Sequence, residues 1–180
     1  MYTVSFEDLA NHQAGPDGVP ADAMSANAPR SVPFEEAVAL ADMEDADARL
    51  RTMSDGGILN WSRFDIQPFA RLMPSIAYLD KVDREGGVID FRYGFVGENI
   101  NAIAKRNLRG ICLRDVLVGE KAEAIIQEYA TTLEERVPRA SSGNVSISDL
   151  TWVRYLRFLY PTRTETGLDR VFLIMLFAAP

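Results

Sequence analysis

The chain has 180 residues, 47% of them hydrophobic and 25% charged, and a formal net charge of −7. That length suits one well-buried core with an appendage, and no apolar run approaches the roughly 20 residues of a membrane-spanning helix. A single cysteine, Cys112, excludes an intrachain disulfide framework, and the lone histidine, His12, leaves too few ligands for a His/Cys metal centre and no ready partner for a Ser-His-Asp or Cys-His nucleophile.

The charge is uneven along the chain. Eleven acids and three bases precede Trp61, whereas sixteen bases and fifteen acids follow. An acidic leader on a near-neutral domain has no basic footprint for nucleic acid. The amino terminus carries no basic stretch followed by an apolar one, as a secretory signal would, so the expected location is the cytoplasm.

In chain order, Gly15, Pro16, Gly18, Pro20, Pro29 and Pro33 lie among alanines and small polar residues, and residues 1–33 are expected to be a disordered leader. Phe34, Val38, Ala41, Ala46, Leu50 and Met53 form an apolar stripe that predicts one helix, and residues 34–60 are read as a helical cap. Residues 61–180 form the main domain. Asp65 is placed to cap a short helix that Pro74 closes. Strands are predicted over 76–83 and 88–96 around Gly86-Gly87, with Phe91, Tyr93 and Phe95 sharing a face by alternation. Helices follow over 98–105 and 120–136, the second carrying Ala122, Ile125, Ile126, Tyr129 and Leu133 at helical spacing. Three more strands are expected over 145–148, 152–160 and 170–177. The last is apolar on both faces: Val171, Leu173, Met175 and Phe177 point one way, and Phe172, Ile174 and Leu176 the other. Such a strand must be covered on both sides, by the middle helices and by either the amino-terminal helix or a second subunit. A homodimer is therefore one expectation.

Several short motifs share this order: Leu72-Met73-Pro74, Tyr78-Leu79-Asp80, the run Phe91-Arg92-Tyr93-Gly94-Phe95-Val96-Gly97, and Leu108-Arg109-Gly110. The stretch from Arg154 to Pro161, followed by Thr166-Gly167, completes them. Together they resemble the PAS-fold domain family common in alphaproteobacteria, over about two thirds of the chain. Gly94 stands where that family often has a second Arg, and Glu98 where it often has Thr. The resemblance implies an α+β fold: a PAS-like five-stranded antiparallel sheet with helices on one face, a small pocket between them, and here an N-terminal helical cap. It also implies a sensory or regulatory role, in which binding of a small apolar ligand or a protein partner alters an interaction or dimerisation. With the chain stopping at Pro180, output is expected through a partner surface or the amino-terminal helix.

The expected pocket residues are Tyr78, Phe91, Tyr93, Ile100, Ile103, Cys112, Ile125, Tyr129, Phe158, Tyr160 and Met175, and the expected interaction surface is Trp152, Arg154 and Arg157. Lys105, Arg106, Arg109 and Arg114 form a basic cluster that suits an anionic ligand or an acidic partner. Cys112 reads as a small buried hydrophobe, with a redox thiol as the sharper alternative. The core lacks a histidine for haem, and Gly110-Ile111-Cys112 matches the Gly-x-Asn-Cys of light-sensing flavin domains poorly, so no cofactor or metal is assigned. The competing functions are a ligand-free interaction scaffold and an isomerase- or dehydratase-like enzyme using Asp80, Asp90 or Glu98. The chain is read as a non-enzyme.

Overall fold

The computed structural model describes residues 29–117, 119–148 and 151–178. Among them the chain forms an α+β fold with an open, largely antiparallel sheet of eight strands and four α-helices. The strands are β1 (Arg30–Val32), β2 (Ser54–Asp55), β3 (Ile58–Asn60), β4 (Ile76–Arg84), β5 (Val88–Val96), β6 (Arg139–Ser148), β7 (Thr151–Arg163) and β8 (Leu168–Phe177). The helices are α1 (Phe34–Leu40), α2 (Glu44–Thr52), α3 (Glu98–Ala104) and α4 (Gly119–Glu135). The main path runs β1-β6-β7-β8-β4-β5, while β3 pairs with β2 and lies parallel to β7. No described helix is long and apolar enough to cross a membrane.

The sheet separates two cores, because successive strand side chains point to opposite faces. On the inner face Leu159, Val171 and Leu173 pack with Ile125, Ile126, Tyr129 and Leu133 of α4 and Ile100 of α3. On the outer face Leu156, Phe158, Tyr160, Phe172, Ile174 and Leu176 pack under Val38, Ala46 and Leu50 of α1 and α2. Each fully buried Leu, Ile or Phe contributes about 1.5–3 kcal/mol relative to leaving it in water. The doubly apolar β8 is thus covered on its outer face by the chain's own helices, which removes the reason for expecting a second subunit there.

The amino-terminal region departs from expectation in four places, the first being that residues 54–55 and 58–60, read as the end of a helical cap, form β2 and β3. The single helix over 34–53 is two helices, broken at Asp42, which takes a left-handed conformation (φ 51°). Aspartate tolerates that region better than most residues, and the break turns both short helices onto the sheet, with Ala41 and Met43 fully buried at the corner. Residues 30–32, assigned to the leader, instead form β1 against Ala140–Ser142 of β6. Residues 1–28 of the expected leader lie outside the described residues. The Asp65-capped segment forms two 3₁₀ turns, Gln67–Phe69 and Met73–Ser75, in place of an α-helix; Asp65 still accepts the Gln67 N–H at 3.0 Å.

One polar tie fixes the cap. The Tyr160 hydroxyl donates to Asp47 Oδ1 at 3.2 Å, and Asp47 Oδ2 accepts from Arg51 Nε at 2.5 Å. Tyr160→Phe should cost about 1 kcal/mol, read as a lower urea midpoint; an unchanged midpoint would mean that this bond adds nothing net.

A bulge in the first hairpin corrects the face assignment of β5. Tyr78 pairs with Phe95 but Leu79 pairs with Tyr93, so Gly94 is skipped. Phe91 and Tyr93 stay on the inner face, while Phe95 joins the outer core. Gly94 is required there, because a Cβ at this position would lie 1.9 Å from Cε2 of the Tyr78 ring.

Candidate functional site

Between the inner face of the sheet and helices α3 and α4 lies a cavity of about 560 Å³. This size falls within the range of small-molecule sites. Each wall comes from a different element. Leu173, Met175 and Phe177 alternate along β8, Tyr155 and Arg157 along β7, and Lys121, Ile125 and Tyr129 recur every fourth residue along α4. Ile100, Ile103 and Ala104 come from α3, and Leu108, Leu113, Val116 and Leu117 from the connection that follows it.

The polar part of the wall centres on Arg157, whose side chain is only 3% exposed. Its Nη2 donates to Glu128 Oε2 of α4 and, at 3.2 Å, to Ser141 Oγ of β6; its Nη1 donates to the Tyr129 hydroxyl at 3.3 Å. The guanidinium carbon lies 5.1 Å from the Tyr129 ring centroid and 5.5 Å from that of Tyr155. A buried cation is tolerated only when paired and hydrogen-bonded, and these partners satisfy that condition. Burial opposes the charge, but Tyr129, Glu128 and Tyr155 outweigh it and hold the guanidinium above its ordinary pKa. Burial pushes the Tyr129 hydroxyl up to about 12, with Arg157 opposing, so it stays protonated at neutral pH. Tyr93 is likewise raised by burial.

Lys121 stands on the first turn of α4 at the cavity wall. It is half-buried, and its Nζ donates to the Asn144 carbonyl oxygen at 3.4 Å. Burial, and after it the Arg157 charge, hold its pKa below the ordinary lysine value. Among the described residues Asp115 is the one carboxylate in the lining, and its Oδ2 is engaged by Arg84 Nη2 at 2.7 Å.

Of the expected pocket residues, Tyr93, Ile100, Ile103, Ile125, Tyr129 and Met175 line this cavity. Phe91 is in the inner core against Tyr129, with ring centroids 5.4 Å apart, but is not part of the lining. Cys112 also falls outside the lining; it is half-buried and bridges Arg92 at the β5 edge. Tyr78, Phe158 and Tyr160 are corrections, because their strand positions place them on the outer face. Tyr78 helps line a second, outer groove with Trp61, Phe64 and Phe95, and the Arg170 guanidinium lies 3.9 Å from the Tyr78 ring centroid and 4.4 Å from that of Trp61.

The expected interaction surface also divides. Arg154 is exposed, whereas Arg157 is buried at the cavity. The Trp152 side chain lies outside the described residues. An odd spacing on a strand puts Arg154 and Arg157 on opposite faces, a signal present in the sequence but not used. Lys121 was missed as well, although it shares a helix face with Ile125 and Tyr129. The basic cluster is dispersed: Lys105 and Arg106 line the inner cavity, Arg109 lines the outer groove, and Arg114 pairs with Glu123.

The carboxylates considered for catalysis sit elsewhere. Asp80 binds Arg170 at 2.6 Å, the fully buried Asp90 binds Arg84 at 2.8 Å, and Glu98 is exposed; none of the three lines the cavity. Among the described residues no group of three or more His, Cys, Asp or Glu is placed to hold a metal. Compared with family models, curated proteins and solved structures, the chain has no match.

Proposed function

We propose that this chain is a PAS-like sensory domain whose inner cavity binds a small, mainly apolar molecule and passes the bound state on through an altered protein interaction. The cavity between sheet and helices carries this reading. Supporting it, five long strands are arranged with α3 and α4 between the second and third of them, both on the cavity side. A ligand there touches α4 directly through Ile125 and Tyr129, and α4 is tied to β7 by the Glu128–Arg157 pair. Occupancy is thereby coupled to the seating of α4 on the sheet, and binding shifts the domain only as far as it favours one seating over another.

A scaffold with a filled core would have bulky side chains occupying this volume, so the cavity favours the ligand-binding reading over it. A catalytic reading has less support still, since the candidate carboxylates lie outside the lining.

Native mass spectrometry of the full chain, together with methyl spectra of Ile103, Ile125 and Met175 during titration with octan-1-ol and octanoate, tests the proposal. Expected are a small-molecule adduct or saturable shifts at these three residues, and loss of the adduct and of the shifts at Ile125 and Met175 in Ile103→Trp, which plugs the cavity. An adduct-free chain whose three methyl groups stay unmoved by either compound would overturn it.

A further inference from the structure

The charges around the cavity restrict the chemistry of its occupant, given the ligand-binding reading above. A wholly apolar molecule would match Ile100, Leu113, Ile125, Leu173 and Met175. It would also seal Lys121 against them without a counter-charge. None of the ion pairs among the described residues includes Lys121, and its Nζ donates to a neutral carbonyl oxygen, that of Asn144. The neighbouring Arg157 takes the Glu128 carboxylate, so one negative charge serves two half- to fully buried cations. Lys105 and Arg106 add exposed positive charge to the lining, and its single acid among the described residues, Asp115, is engaged by Arg84. The buried part of the wall is therefore short of one negative charge. Burying a cation without a partner is costly, and a ligand that supplies the missing charge relieves that cost.

We infer that the cavity takes an amphipathic monocarboxylate, whose anionic head pairs with Lys121 while its apolar body lies against Ile125, Leu173 and Met175. One carboxylate balances the one half-buried ammonium, and a neutral head would leave it unpaired. A second charge on the head could be met only by Lys105 or Arg106, which are exposed to water. Tyr155 lines the same wall, with its hydroxyl over Gly143 of β6. Lys121 reaches the wall from the first turn of α4, where the helix N-terminus also favours negative charge.

The test is calorimetric titration of the full chain with octanoate, octan-1-ol and octylamine, which carry straight apolar tails of seven, eight and eight carbons and differ in head charge, so that the shorter tail works against octanoate. Octanoate should bind at least about tenfold tighter than octan-1-ol, as a charge-assisted bond implies, and octylamine should be weakest. Lys121→Met keeps an apolar stem and should erase the preference for octanoate, weakening octanoate while octan-1-ol, with no ammonium left to bury, binds at least as well as before. Lys121→Arg should restore the preference. Equal affinity for octanoate and octan-1-ol, or a preference that survives Lys121→Met, would overturn the monocarboxylate and leave the ligand cavity standing. Failure of all three compounds to bind would overturn both.

Discussion

Arg157→Met is expected to lower folding stability by about 3–5 kcal/mol, the cost of breaking a buried ion pair by removing one partner. Glu128, whose side chain is 15% exposed, would keep its charge without the guanidinium, and the Tyr129 hydroxyl and Ser141 Oγ would lose a shared donor. Methionine fills much of the same volume, so the loss would report charge and hydrogen bonding more than a void. The double variant Arg157→Met with Glu128→Leu should recover a good part of the loss, because it removes the orphaned carboxylate as well. Urea denaturation checks both. A single-variant loss under about 1 kcal/mol, the scale of an exposed pair, would show that water reaches this pair freely. The result matters for function because the same pair joins α4 to the sheet at the cavity wall.

Gly97→Ala should cost about 3 kcal/mol, at the upper end of what overpacking usually does. A Cβ here would lie 2.4 Å from the carbonyl oxygens of both Met73 and Pro74, and 2.5 Å from the Pro74 carbonyl carbon. All three are backbone atoms, which cannot swing aside as a side chain can. Conformation is not the obstacle, since the φ of −70° at Gly97 suits any residue. Close approach is, because the start of α3 crosses the Met73–Ser75 turn and Gly97 donates its N–H to the Ile76 carbonyl at 2.8 Å. Gly56→Ala is the control: it has a φ of +60° and open space around its would-be Cβ, so it should lose only about 1–2 kcal/mol from the left-handed backbone. Thermal unfolding of the two variants side by side separates the causes, and equal losses would show that the Met73–Pro74 backbone yields.

Much of the frame was legible along the chain because local periodicity encodes it. The paired strands around Gly86-Gly87, the long helix with Ile125, Tyr129 and Leu133 on one face, and the alternation of β8 between two cores all follow from spacing alone. What spacing missed lies in segments without a strong apolar period. Ala140–Ser142 is small and polar, yet it is paired on both sides, by β1 and β7. Ile58–Asn60 is too short to read as a strand and exists because β7 offers it a parallel partner.

The candidate site divides along the same line. Tyr93, Ile103, Ile125 and Met175 could be placed near a pocket from their apolar character and their elements. Tyr78, Phe158 and Tyr160 could not, since aromatic content says nothing about which face of a strand a residue occupies once both faces are buried. Strand parity would have separated Arg154 from Arg157, but only the pairing of β7 with β6 and β8 decided that Arg157 faces α4. The sequence by itself therefore determined an α+β chain with a two-faced sheet, since burial of apolar side chains at periods of 2 and 3.6 residues is a local property. Tertiary structure alone decided that the chain covers its own outer face and that Lys121 and Arg157 share a cavity, because register, the bulge at Gly94 and the break at Asp42 depend on contacts between segments far apart in the chain.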